Sequence, residues 1–273
     1  MIYAAFSVYL LGMFFLAMGT YRLWADMVGG KWVNWALLPG TVVAEMAYIF
    51  GCLITGGEVR RARLMGDGGS NGRRTRKSSG EGEGEATTES APKLRHVGPV
   101  VAAFVTILAC GAGIVLAHAL LGKPVITEFV AGTGGVGTMA ELPKALPTSP
   151  GAFWDQADQQ VNLLRRMAGT WVELDWLNWR VPLFVYLTTC LAIRLAPVRR
   201  SLRASLAAAV ALAALIGLTG LVWRQFSGLM DDVWPLLTYI WSSLLFLLAV
   251  SLVARGVVGL TRALVAGDKA KGG

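Results

Sequence analysis

From Ile2 to Thr20 the chain carries no charged side chain, and the first charge is Arg22. Nineteen such residues, at about 1.5 Å of rise each, reach nearly the ~30 Å of a bilayer's hydrocarbon core. A secretory leader would show a basic start and a shorter apolar stretch, so the segment reads as a retained membrane helix. Five more runs pass the same test: Trp35 to Thr55, Val97 to Leu121, roughly Leu177 to Ala196, Ala204 to Trp223 and Val233 to Val253. Composition agrees. Of 273 residues, 55% are hydrophobic and 15% charged, too few charges to cover a water-soluble surface. The expected fold is all-α, a polytopic membrane bundle of about six transmembrane helices.

The charges give an orientation. The excess of 25 Lys and Arg over 17 Asp and Glu would point to nucleic acid in a soluble protein, but in a membrane protein position matters more than sum, and no nucleic-acid partner is expected. Arg60, Arg61, Arg63, Arg73, Arg74, Arg76, Lys77, Lys93 and Arg95 lie between the second and third runs. Arg199, Arg200 and Arg203 follow the fourth, and Arg255, Arg262, Lys269 and Lys271 follow the sixth. The positive-inside rule makes these three segments cytoplasmic, with both termini inside, as in a bacterial inner membrane. Trp24, Trp32, Trp35, Trp154, Trp171, Trp176, Trp179, Trp223, Trp234 and Trp241 fall in or near the opposite segments, which reads as an aromatic belt on the outer side.

The resulting organisation is two transmembrane helices in 1–57, a disordered cytoplasmic linker in 58–96, a third helix in 97–121 and an outer loop in 122–180. Three helices follow in 181–255, the first beginning near 177, and a cytoplasmic tail fills 256–273. Within the linker, 66–90 is almost free of large apolar residues. Its block Arg73, Arg74, Arg76, Lys77 with Ser78 and Ser79 reads either as a contact for anionic lipid or as a solvated tether; the tether is preferred, since a charge run needs no partner in water. Gly132 to Gly137 spells G-x-G-x-x-G, but prolines at 143, 147 and 150 follow it in place of a helix start, so it reads as a flexible glycine loop. Trp154, Val161, Leu164, Met167, Ala168, Trp171 and Val172 recur at helical spacing, opposite Asp155, Asp158, Gln159, Asn162, Arg165, Arg166 and Glu173. This predicts an amphipathic helix on the outer surface or capping the bundle. In the fifth run, alanines at 207–209, 211, 213 and 214 allow close helix packing.

A carboxylate at membrane depth is costly, so Glu45 is the first residue that needs an explanation. It stands in Leu37-Leu38-Pro39-Gly40-Thr41-Val42-Val43-Ala44-Glu45-Met46-Ala47-Tyr48, followed by Leu53-Ile54-Thr55-Gly56-Gly57-Glu58-Val59. This stretch resembles the motif helix of site-2-protease-like intramembrane zinc metallopeptidases, with its Pro-Gly step, H-E-x-x-H, and an apolar run closed by Gly. Gly98-Pro99-Val100 resembles a helix start of that family, and Leu195-Ala196-Pro197 the segment that delivers its carboxylate ligand. The resemblance implies a membrane helical fold with Glu45 at the general-base position. Two His four residues apart would share one zinc, but here those positions hold Ala44 and Tyr48, and no Asp or Glu follows Pro197 in Val198-Arg199-Arg200-Ser201. The motif is therefore degenerate, with no metal or cofactor expected and catalysis disfavoured.

A metal site assembled across helices from Glu45, Cys52, Cys110, His118 and Cys190 is the remaining metal possibility. Single Cys on separate apolar runs are more simply core residues. His118 reads as interfacial, and His96 carries no signal. Arg194, one turn from the end of its run, is expected to reach for the interface. Glu45 keeps three readings: a hydrogen-bonded remnant beside Thr41 or Tyr48, a protonatable relay, or the neutralising partner of Arg194. The function expected is a non-catalytic multi-pass relative of those peptidases that binds membrane partners in the lipid bilayer. The alternatives are a small transporter or proton-coupled subunit using Glu45, and a structural scaffold.

Overall fold

A computed structural model describes residues 2–56, 58–62, 88–91, 98–131, 142–196, 202–222 and 227–271. These residues are almost wholly helical. Helix α1 spans Ile2–Val28, α2 Gly30–Ala36 and α3 Leu38–Ile54; α4 spans Gly98–Ala117, passes through a π turn at His118–Gly122, and continues as α5, Lys123–Ala131. Then come α6 at Pro150–Glu173, α7 at Arg180–Arg194, α8 at Leu202–Val222 and α9 at Ser227–Lys271. The linker read as disordered has paired ends: β1, Glu58–Ala62, runs antiparallel to β2, Thr88–Ala91, with Val59 opposite Ser90. Its basic block lies outside the described residues, as does the Gly132 to Gly137 loop.

By length and composition, Ile2–Val28, Gly98–Ala131 and Val233–Thr261 can each cross a membrane, and α2 with α3 makes a fourth candidate if that bent pair is one span. The outward faces are apolar, with Val8, Phe15, Phe50, Leu116 and Leu218 all exposed. Contiguous apolar surface of this kind suits lipid, and the chain has the build of a membrane protein.

Three expectations change. The second run is not one straight helix, because Pro39, in the first turn of α3, lacks an N–H and its ring cannot sit against the preceding helical turn; α2 and α3 meet at 92° about Leu37. The third run does not stop at Leu121. It widens into the π turn just before Pro124, whose ring would otherwise meet the carbonyl four residues back, and stays helical to Ala131. Finally, α1 and α9 lie side by side in the same direction. Tyr9 meets Trp234 and Trp241, Trp24 Nε1 donates to Ser251 Oγ at 2.7 Å, and Arg255 pairs with Asp26 at 3.3 Å. The start of α1 and the end of α9 are thus at opposite ends of the bundle, which corrects the expectation that both termini share one side.

Helix α4 runs against α7, since Gly113 abuts Leu191 and Gly122 abuts Phe184, whereas α7 runs with α1 and α9, Phe184 lying 5.6 Å from Tyr239 and Arg194 5.1 Å from the Tyr21 ring, near where Trp24 meets Ser251. The end of the bundle where α1, α7 and α9 finish therefore also holds the start of α4. Trp24 lies at that end, whereas Trp234 and Trp241 pack on Tyr9 in the first half of α1, so the described tryptophans are not gathered on one outer side.

Helix α6 packs along α9, and its first turn is capped by Ser149 Oγ accepting from Ala152 N at 3.2 Å. Its packed stripe is Leu163, Met167 and Thr170, with Gln160 Oε1 accepting from Trp241 Nε1 at 2.6 Å. Trp154, Val161 and Val172 of the expected stripe face outward instead. Trp234 Nε1 donates to Leu142 O at 2.8 Å and ties the preceding segment down.

Candidate functional site

The elbow between α2 and α3 gathers a cluster of polar groups, among them Asn34, Thr41 and Arg194. Breaking a helix frees backbone carbonyls, and in an apolar medium each must find another donor. Thr41 Oγ1 supplies one locally, 2.9 Å from Leu37 O and 3.4 Å from Asn34 O. Helix α7 supplies the others. Tyr186, Cys190 and Arg194 are spaced four apart, so they line one face of α7. Tyr186 Oη donates to Ala36 O at 2.8 Å, and Cys190 Sγ lies 3.9 Å from the same oxygen.

Arg194 completes the ladder. It is 7% exposed, and its Nη2 donates to Asn34 Oδ1 at 2.6 Å. Tyr21 Oη donates to that same oxygen at 3.0 Å, while the guanidinium carbon sits 5.1 Å from the Tyr21 ring centre. Two donors on Oδ1 fix the orientation of the Asn34 amide. A guanidinium stays charged at any accessible pH, so the elbow holds a permanent cation inside the bundle. Arg194 thus turns inward. The expected reach to the interface does not occur, because a hydrogen-bond acceptor and an aromatic face are within range inside.

Close backbone contact makes this geometry possible. A Cβ on Gly40 would collide with the carbonyl of Cys190 and fall 3.1 Å from Arg194 Cγ, and one on Gly51 would fall 2.6 Å from Ala102 Cα. Glycine lets α3 lie against α7 at its start and α4 at its end.

Of the residues singled out in the sequence, Ala44, Glu45 and Tyr48 are half-buried on α3, with Ala44 packed on the apolar core. Pro197 lies outside the described residues, as do Arg73, Arg74, Arg76 and Lys77. Cys52, Cys110 and Cys190 are buried free thiols on three helices. His118 is not at a helix end but within the π turn, 6.4 Å from Phe184, and its Nδ1 is buried with no hydrogen-bond partner among the described residues. Among the described residues no three His, Cys, Asp or Glu side chains, Glu45, Cys52, Cys110, His118 and Cys190 included, converge to hold a metal ion.

The sequence reading passed over Tyr21, Asn34 and Tyr186. The signal available was the Pro39 break, which demands donors and acceptors nearby, and Asn34, a lone polar amide between Trp32 and Trp35. No family model, curated protein or solved structure matches the chain.

Proposed function

We propose that this protein is a non-catalytic, multi-pass relative of site-2-protease-like peptidases that acts by binding other membrane segments, in a setting such as a bacterial inner membrane. The observation that carries the reading is the seating of α3, the helix with the degenerate motif, against α7, which leads into Leu195-Ala196-Pro197. Gly40 abuts Cys190 and Arg194, so two of the three stretches that carry the resemblance lie on neighbouring helices or lead from them. The motif positions hold Ala44 and Tyr48, side chains unsuited to zinc. The outward face of α3, Met46, Phe50 and Leu53, is apolar and suited to lipid or another helix. On this reading α6 caps the outer end as an amphipathic helix.

The test is metal analysis of protein purified without chelator, with a peptide-cleavage assay of wild type and Glu45→Gln. Neither stoichiometric zinc nor cleavage is expected. Cleavage abolished by Glu45→Gln would overturn the reading.

A second reading is favoured by one observation, the buried Arg194 beside a broken helix, an arrangement found where transporters hold charged solutes. Solute or ion flux in proteoliposomes that is lost in Asn34→Leu would select it.

A further inference from the structure

We propose that five helices cross the membrane and that α2 and α3 form a re-entrant pair, entering and leaving by the same basic face. Helix directions carry this path independently of the peptidase resemblance. Helix α1 ends beside Arg255 of α9, since Asp26 pairs with it. Helix α2 starts there, after Gly29, which turns the chain with φ of +93°. The elbow contacts Arg194, the last residue of α7, through Asn34. Helix α3 then leads to Gly51, packed on Ala102 in the second turn of α4. Because α4 runs against α7, its first turns lie at the end where α7 finishes. Both limbs of the bent pair therefore open to one end.

The rest of the chain fits only an odd count. Helix α4 continues to the far end, where Phe129 of α5 meets Tyr239 at 5.5 Å. Helix α7 returns, α9 begins at the far end beside Tyr9, and α8 must cross between them; Ser7 Oγ, in the first turns of α1, donates to Ala213 O of α8 at 3.1 Å. Helices α1, α4, α7, α8 and α9 cross, and α2 with α3 does not.

The charges suit this path. Arg22, Lys31, Arg203 and Arg255 are exposed, and all belong to the end of the bundle where α7 finishes and the arginine-rich linker attaches. The positive-inside rule makes that end cytoplasmic and the start of α1 external. On α2, Val33 is buried while Lys31, Trp32 and Trp35 are exposed. This is the composition of a short helix seated at headgroup level, with tryptophans at the interface and a cation toward anionic lipid.

The experiment uses full-length protein in membrane vesicles of known orientation, with Cys52, Cys110 and Cys190 changed to Ala and one cysteine introduced at a time. The probe is a membrane-impermeant maleimide. Lys31→Cys and Ser78→Cys should be labelled from one side and Ala145→Cys from the other. Lys31→Cys labelled with Ala145→Cys and opposite Ser78→Cys, the pattern of six straight crossings, overturns the proposal. Unmodified protein gives a second readout that needs no substitution: an impermeant lysine reagent should modify Lys31 and Lys77 from one side and Lys144 from the other, and separation of Lys31 from Lys77 overturns the proposal as well.

Discussion

Arg194 Nη2 and Asn34 Oδ1 lie 2.6 Å apart, joining the end of α7 to the elbow between α2 and α3. A hydrogen bond to a charged group inside a protein contributes about 1.5–3 kcal/mol, and removing the acceptor takes one such bond from a buried cation. Asn34→Leu should lower stability in detergent by about 2 kcal/mol or more by this measure, read as a drop in thermal midpoint. Arg194→Lys should not restore the wild-type midpoint, because an ammonium lacks the planar fork that stacks on Tyr21 while bonding Asn34. An unchanged midpoint in both variants would show that the pair adds nothing.

Helix contact at Gly40 and Gly51 predicts a positional split among glycine substitutions. Gly40→Ala and Gly51→Ala force backbone apart at the α3 contacts and should each cost about 1–3 kcal/mol, the usual range for overpacking. Gly111→Ala and Gly217→Ala meet nothing within 4 Å and should be neutral or slightly stabilising. Denaturation of the four variants in one detergent compares them directly.

Tyr186→Phe removes the hydroxyl that satisfies Ala36 O without changing the ring. A neutral hydrogen bond is worth about 1 kcal/mol, so the loss should be modest in overall stability. It should be visible locally, as faster amide exchange at α2 and the first turn of α3 than in the wild type. Exchange that stays equal there would argue that the freed carbonyl has another donor.

Ser149→Ala should loosen the start of α6 by about 1 kcal/mol, since the side chain accepts from Ala152 N in the first turn. Faster exchange confined to the first two turns of α6 is the expected signature, with Leu163 and Met167 still protected by packing.

Glu45→Gln should leave the elbow intact. Its position on α3 is half-buried and off the stripe formed by Gly40, Ala47 and Gly51. The expected result is a small shift in thermal midpoint and no change in maleimide accessibility at Lys31→Cys. A large loss of stability would identify Glu45 as part of the packing of the elbow.

The apolar runs beginning at Ile2, Val97 and Val233 were legible because a stretch without charge has few ways to be solvated, and helix is the form that satisfies its own backbone. The bend at Pro39 was not, because Pro124 and Pro235 stand in segments that stay helical, so a missing N–H alone does not say where a run breaks. The helix at Pro150–Glu173 was legible from its spacing, but its packed face was not: Leu163 and Thr170 face α9 while Val161 and Val172 do not, a choice set by the neighbour and not by hydrophobicity alone. Direction was the larger gap. Charge counts place segments on sides only if every apolar run is assumed to cross, and on the re-entrant path proposed for α2 and α3 that assumption does not hold.

Sequence by itself determined that this chain is helical and built of apolar segments suited to a membrane. Tertiary structure decided where the second of them bends and what holds the bend. A freed carbonyl and a buried guanidinium can be satisfied only by partners brought from elsewhere in the chain, here Tyr186 for Ala36 and Asn34 for Arg194, and their sequence separation leaves no local pattern from which the pairing can be read.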